Sequence, residues 1–100
     1  MPEMTFDVRW PDGTTASCYS PSLVMHDHLK AGTRYPVADF VERAGRALQE
    51  ASDRVRARYG MGCASAVQQE AEIRQVASAF DGAAEVEVLR MEPPLPGGAA

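Results

Sequence analysis

The sequence predicts a two-layer α+β protein in which one sheet carries two helices on one of its faces. Three observations predict this fold class: two alternating segments joined by a turn at the start, two amphipathic stretches in the middle, and a third alternating segment near the end. The predicted order is β-β-α-α-β, with a short helical turn or strap after the hairpin. A single domain over residues 1–92 is expected, because 100 residues with 45% hydrophobic content can build one modest core.

The N-terminal segment is predicted to form a β-hairpin, because apolar and polar residues alternate on either side of a WPDG turn at residues 10–13. A type I turn with a glycine bulge places Phe6 opposite Cys18. In the same register, Val8 lies opposite Ala16, so all four side chains share one face. The predicted strands span about residues 3–10 and 14–20.

The stretch 35–60 is the clearest helix in the sequence. At about 100° per residue, its apolar side chains fall within an arc of roughly 120°, while nearly all charged side chains fall outside it. Pro36 suits the first helical position and Gly60 suits a left-handed end. Gly45 breaks the pattern, which indicates either tolerated drift or a close approach by another helix. The apolar arc contains Val37, Phe40, Val41, Ala44, Ala47, Leu48, Ala51, Val55 and Tyr59.

A second helix is predicted over about 64–80 and a third strand over about 84–91. The helix has a less distinct apolar face, in which Gln69 lies among apolar residues. The strand is indicated by Val86 and Val88, which alternate with glutamates. The sequence does not determine whether this strand joins the first or the second strand of the hairpin.

The face of the sheet without helices is predicted to contact solvent, because most of its side chains are polar. The sheet also has open edges that can pair with a second copy, so a homodimer is expected. The predicted solvent face contains Thr5, Asp7, Arg9, Ser17, Tyr19, Glu85, Glu87 and Leu89.

The composition argues against several classes of function. A net charge of −4 gives no basic footprint for nucleic acid, and no apolar run reaches the length of a membrane span. Two cysteines without a secretion signal indicate reduced thiols and a cytoplasmic location. Residues 93–100 are rich in Pro, Gly and Ala and are predicted to form a disordered tail.

Four residues are candidates for a binding site: Cys63, Arg58, Tyr35 and His28. Cys63 precedes a predicted helix N-terminus, where the helix dipole lowers a thiol pKa, although it can equally be a small residue that fills a turn. Arg58 belongs to an arginine-rich helix end that is either an anion patch or a solvated terminus. A pocket near Cys63, Arg58 and Tyr35 is the arrangement that would give these residues a common role.

Metal and catalytic sites are not predicted. The His26-Asp27-His28 run and two cysteines could supply zinc ligands, but there is no C-x2-C spacing, and residues i and i+2 point apart on a helix. No nucleophile–base order, nucleotide loop or carboxylate dyad can be identified, so no catalytic residue and no cofactor is assigned.

Four segments are distinctive in combination, although each alone is weak. They read FDVRWPDG at 6–13, CYSPSLVMHDHLKAG at 18–32, YPVADFV at 35–41 and ASDRVRARYG at 51–60. Together they resemble a family of roughly hundred-residue bacterial proteins labelled nitrogen starvation response proteins. The resemblance covers about residues 1–90 and leaves out the Pro-rich tail.

The resemblance implies a biological context rather than a reaction. Members of that family are typically encoded beside a nitrilase and other enzymes in a gene cluster linked to cyanide or nitrile assimilation. The resemblance therefore implies a non-catalytic accessory or binding protein, with other proteins of the cluster as possible partners. Two alternatives are a small enzyme or carrier that uses Cys63 and a small-molecule sensor that binds between the hairpin and the helices.

Overall fold

The computed structural model describes residues 3–94, which form a four-stranded antiparallel sheet with two α-helices packed on one face. The predicted α+β class is confirmed, with one strand more than the sequence indicated. The strands are β1 (Met4–Arg9), β2 (Thr15–Ser20), β3 (Arg34–Pro36) and β4 (Glu85–Glu92), and the helices are α1 (Val37–Tyr59) and α2 (Ala64–Ala77), with a 3₁₀ helix at Leu23–Asp27.

The hairpin forms in the predicted register. Phe6 pairs with Cys18 and Val8 pairs with Ala16. The turn is fixed by Asp12, whose carboxylate accepts hydrogen bonds from the backbone and the hydroxyl of Thr14 at 3.0 and 2.7 Å. Backbone bonds close the same turn, since the Gly13 N–H donates to the Trp10 carbonyl at 2.9 Å and the Trp10 N–H donates to the Thr14 carbonyl at 2.8 Å. Together these bonds set the strand register.

β4 pairs with β1, so the order across the sheet is β2-β1-β4-β3. The β1–β4 register shifts between Asp7 and Val8, where Leu89 is the extra residue on β4. A bulge of this kind reverses the alternation of side chains along the bulged strand. Met91 is therefore buried, whereas a regular strand would have turned it to the other face of the sheet.

β3 was not predicted, because the sequence indicated a loop up to residue 34 and a helix from Tyr35. Tyr35 instead pairs with Val86, and α1 begins only after Pro36. The backbone N–H of Val37 donates to the Ala84 carbonyl at 2.7 Å, which ties the start of the helix to the sheet. A three-residue strand is too short to give a periodic pattern, and only its distant partner defines it.

The predicted apolar arc of α1 covers the sheet, except at its C-terminal end. Phe40, Ala44 and Leu48 are almost completely buried, and Val55 is half-buried. Tyr59 was predicted to belong to the buried stripe, but its side chain is 63% exposed. The last turn of α1 is therefore not covered by the sheet, and periodicity alone cannot show where the covering strands end.

The helices approach each other closely at Gly45. A methyl group added there would lie 2.8 Å from a carboxylate oxygen of Glu70 and 3.1 Å from a guanidinium nitrogen of Arg74, both on α2. Another helix does approach this glycine, as one of the two interpretations expected, and it does so through the ends of two side chains.

The face of the sheet opposite the helices is largely polar, as expected. Arg9 pairs with Glu87 and Arg90 pairs with Asp7, each at 3.1 Å. Leu89 is half-buried on this side. Of the tail predicted to be disordered, residues 95–100 lie outside the described residues; the Pro93 carbonyl oxygen lies 2.9 Å from the His26 imidazole.

Candidate functional site

An open groove of about 420 Å³ lies between α2 and the outer edge of β2. We call it the α2–β2 groove. Six of the described residues line it, and all six carry polar side chains: Glu3, Tyr19, Ser65, Gln68, Gln69 and Glu72.

The groove forms because α2 lies beside β2 and contacts the edge of the sheet. The side-chain oxygen of Gln69 accepts a hydrogen bond from the Tyr19 backbone N–H at 3.0 Å. This contact explains why a glutamine lies among the apolar residues of α2. The hydrogen bond satisfies one backbone N–H at the edge of the sheet and leaves the side-chain N–H groups of Gln69 at the groove.

The groove has a negative charge. Glu3 and Glu72 contribute carboxylates, and within residues 3–94 no lysine, arginine or histidine lines the groove. The pKa of the Tyr19 phenol is raised to about 12, mainly by burial and by its hydrogen bond to Glu3, with further contributions from the charges of Glu3 and Cys63. Tyr19 therefore stays protonated near neutral pH and can act as a hydrogen-bond donor or present its ring.

Cys63 lies close enough to the groove to influence Tyr19 electrostatically. It is the N-cap residue of α2, it is half-buried, and its backbone N–H donates to the Ser52 hydroxyl at 3.1 Å. Cys18 differs sharply, because it is only 4% exposed and its thiol pKa is raised to about 12, first by burial and then by the charges of Asp7 and Glu72.

A second polar cluster lies at the other end of α1, around a cavity of about 300 Å³. The Arg43 guanidinium lies 5.1 Å from the centre of the Tyr35 ring and donates to Asp39 at 2.9 Å and to the His28 carbonyl at 3.2 Å. The Tyr35 hydroxyl accepts from the backbone N–H of Lys30 at 3.0 Å. Nε and Nη1 of Arg43 each donate one hydrogen bond within the protein, which holds its side chain against Tyr35.

The four candidate residues do not form one site. Tyr35 and His28 line the Arg43 cavity, whereas Cys63 lies beyond the opposite end of α1. A helix of 23 residues is about 35 Å long, so a common pocket for Tyr35 and Cys63 is excluded. Arg58 is exposed and lies beside Tyr59, with its guanidinium 5.8 Å from the ring centre.

The sequence did not indicate the residues that line the groove as a site. Glu3, Gln68 and Glu72 are ordinary surface residues in the sequence pattern, and they meet only because α2 lies against β2. The one available signal was Gln69, a polar residue on an otherwise apolar face. Within residues 3–94, no group of three or more His, Cys, Asp or Glu side chains is arranged to hold a metal ion.

The fold and the groove define a small two-layer α+β protein with a polar, negatively charged cleft at one edge of its sheet. The chain belongs to the family described as nitrogen starvation-induced protein NitG, whose family model matches residues 5–91. No curated protein and no solved structure shows a significant match to this chain. In the part of the chain that the structure describes, no helix is both long and apolar enough to span a bilayer.

Proposed function

We propose that this chain is a non-catalytic accessory protein of the nitrogen starvation response that binds a small, positively charged nitrogen compound in the α2–β2 groove. One observation carries the proposal: among the described residues, the α2–β2 groove is lined by polar side chains that include two carboxylates and no basic group. Its volume of about 420 Å³ falls within the usual range for small-molecule sites.

The lining favours a protonated amine or a related cation. Glu3 and Glu72 can each accept a charge-assisted hydrogen bond, which is stronger than a neutral one. The ring of Tyr19 can contact a cation through its face, and the Gln68 side chain supplies an amide oxygen for an N–H donor. An anion of the same size would face two carboxylates without a compensating charge.

Membership of the family supports a role under nitrogen starvation, and we extend the proposal to its setting. The chain acts in the cytoplasm beside the enzymes of a nitrilase-containing gene cluster, to which it supplies or from which it receives a nitrogen compound. Affinity capture with the tagged full chain from nitrogen-starved cells tests this part. Recovery of none of the encoded enzymes, with the tagged chain itself recovered folded, counts against it.

The ligand class is tested by calorimetry and thermal unfolding with ammonium, short alkylamines and guanidinium, compared with acetate and phosphate. At a ligand concentration of 100 Kd, binding raises the free energy of unfolding by about 2.7 kcal/mol. We expect this increase with an amine or guanidinium probe and none with the anions.

Two variants separate groove binding from a general charge effect. Glu72→Gln removes one carboxylate of the groove and should weaken cation binding at least about tenfold, the effect of losing roughly 1.4 kcal/mol. Glu42→Gln is the matched control, because Glu42 lies on α1 and pairs with Arg46 at 2.9 Å outside the groove. Equal losses in both variants, or binding of anions in preference to cations, would contradict the proposal.

A carrier or enzyme role for Cys63 is the second candidate. It is favoured by the position of Cys63 at the N-terminus of a 14-residue helix, within electrostatic range of Tyr19. The N-terminus of α2 should make the Cys63 thiol react faster with an alkylating agent at neutral pH than a free cysteine does, which the rate of alkylation measures. The buried Cys18 is the internal control, and a rate at Cys63 no higher than that of a free cysteine would remove the basis for this candidate.

A further inference from the structure

We propose that the outer edge of β2 pairs antiparallel with β2 of a second copy of the chain, with the two-fold axis at Ala16. The result is a dimer with a continuous eight-stranded sheet. This inference concerns the strand edge and does not depend on what the groove binds.

The backbone directions along β2 follow from one hydrogen bond. The Tyr19 N–H donates to Gln69 rather than to β1, so Tyr19 is a residue whose backbone groups point away from the sheet. In an antiparallel strand, every second residue has the same direction. The N–H and C=O groups of Ser17 and Thr15 therefore also point outward.

The outward groups of Thr15 and Ser17 are available for pairing. Both residues and Ala16 between them are exposed, and within residues 3–94 no backbone group beyond β1 pairs with them. The side chains at 15–17 are uncharged, and the stretch contains no proline and no bulge in its pairing with β1. Charged side chains, prolines and bulges are the features by which edge strands usually avoid pairing, and this stretch has none of them.

The opposite edge of the sheet is protected in the usual way. β3 has only three residues and ends in Pro36, which has no N–H to donate. The contrast identifies β2 as the edge that can accept another strand.

The register of the proposed β2–β2 pairing is set by the Tyr19 N–H, which is already hydrogen-bonded within the chain. Because Gln69 occupies that N–H, the available outward groups are those of Thr15 and Ser17. A two-fold axis at Ala16 places Thr15 opposite the partner's Ser17 and Ser17 opposite the partner's Thr15. A second copy of the same strand supplies this donor–acceptor pattern by symmetry, which is the condition for an isologous interface.

The same register covers Ala16, which is exposed in the single chain. Ala16 lies opposite Val8 on the helix-covered side of the sheet, where Val8 itself is fully buried. In the dimer, Ala16 and the partner's Ala16 form a non-hydrogen-bonded pair with Cα atoms about 4.5 Å apart. An apolar position left exposed in the single chain is then covered.

Sedimentation velocity over a wide concentration range tests the dimer with a matched pair of variants. Ser17→Pro removes an outward N–H that β1 does not use, so the hairpin is retained while pairing with the second copy is lost. Ser17→Ala keeps the N–H. We expect concentration-dependent dimers for the wild type and Ser17→Ala, and at least about tenfold weaker association for Ser17→Pro, the loss that roughly 1.4 kcal/mol produces.

Cross-linking tests the register independently of affinity. In a Cys63→Ser background, Ala16→Cys should form a disulfide-linked dimer on mild oxidation, because the expected Cα separation falls within the 4.4–6.8 Å range of disulfides. Thr5→Cys is the control, since Thr5 is exposed on the interior strand β1. A wild type that stays monomeric at every concentration, or an Ala16→Cys variant that cross-links no faster than Thr5→Cys, would overturn the proposal.

Discussion

The two helices pack against each other but contribute differently to the protein. Eight of the 23 residues of α1 are buried, compared with three of the 14 residues of α2. Most buried residues of α1 lie on one stripe over the sheet, while Gly45 and Ser52 face α2 and the turn before it. α2 instead divides its contacts between α1 and the edge of β2, and most of its polar side chains stay accessible.

The comparison indicates that the two helices have different roles in the protein. α1 supplies the apolar area that stabilises the fold, since burial of apolar surface is the main favourable contribution to folding. α2 covers less of the sheet and leaves a polar groove beside it. Changes in α1 should therefore reduce stability, whereas changes on the groove side of α2 should alter binding while the fold remains intact.

The largest expected effect comes from truncating the core of α1. Phe40 is fully buried, and its ring meets that of Trp10 edge to face at 5.5 Å between centroids. Phe40→Ala should lower the free energy of unfolding by about 3–5 kcal/mol, and Ile73→Ala, the equivalent truncation in α2, by about 2–3 kcal/mol. Urea denaturation measures both, and a larger loss for Ile73→Ala would contradict the comparison.

High pH should destabilise the folded protein through two residues of β2, Cys18 and Tyr19. The pKa of Cys18 is raised from 9.0 to about 12, first by burial and then by the charges of Asp7 and Glu72. Above pH 9 the unfolded chain releases this proton while the folded chain keeps it, so the free energy of unfolding should fall steadily up to about pH 12. The raised pKa of Tyr19 acts in the same direction.

Chemical denaturation across that pH range, with Cys18→Ala as the comparison, measures the effect. The variant should lose less stability per pH unit, whatever its stability at neutral pH. An identical slope in both proteins would show that Cys18 does not contribute.

A smaller effect is expected where α1 holds the turn into α2. Ser52 is 2% exposed, and its hydroxyl accepts the backbone N–H of Cys63 at 3.1 Å. Ser52→Ala should cost about 1–2 kcal/mol, because it leaves a partly buried donor without its partner. Ser52→Thr retains the hydroxyl as a control, and a loss below about 0.3 kcal/mol for Ser52→Ala would mean that water replaces the bond without cost.

The smallest effect is expected at the contact between the helices. Gly45→Ala gains up to about 1 kcal/mol in helix propensity. Its new methyl group meets only the flexible ends of Glu70 and Arg74, which can shift at the cost of an exposed ion pair. We expect a net change between about 0 and 1 kcal/mol towards greater stability, measured by urea denaturation.

A larger side chain at the same position should reverse the sign. Gly45→Leu cannot be accommodated by moving the ends of two side chains and should push α2 away from α1. Greater stability in Gly45→Leu than in Gly45→Ala would contradict the close approach of the helices.

Local chemistry made the hairpin and the long helix predictable. The turn at 10–13 combines Pro, Asp and Gly, and these residues fix the register by bonds within a few positions of the chain. The stripe of α1 repeats over many turns, so its period is unambiguous. Periodicity no longer predicts burial at Tyr59, because the apolar pattern of α1 continues beyond the end of the sheet that covers the helix.

The candidate site was predictable only in fragments. Tyr35 and His28 do line a common cavity, but Arg43, whose side chain also lines it, had no signal in the sequence beyond its place on the polar face of α1. The α2–β2 groove was not anticipated as a site, because its lining residues are separated by up to 69 positions, from Glu3 to Glu72.

The fold class, the hairpin register and the buried face of α1 were predictable from residue patterns, because each depends on interactions between residues near one another in the chain. The folded structure was needed to show that β4 joins β1, that β3 exists, and that α2 lies against the edge of β2. These features depend on contacts between distant segments, whose energy is shared among many weak interactions that no single motif records. The groove and the open strand edge are consequences of that packing.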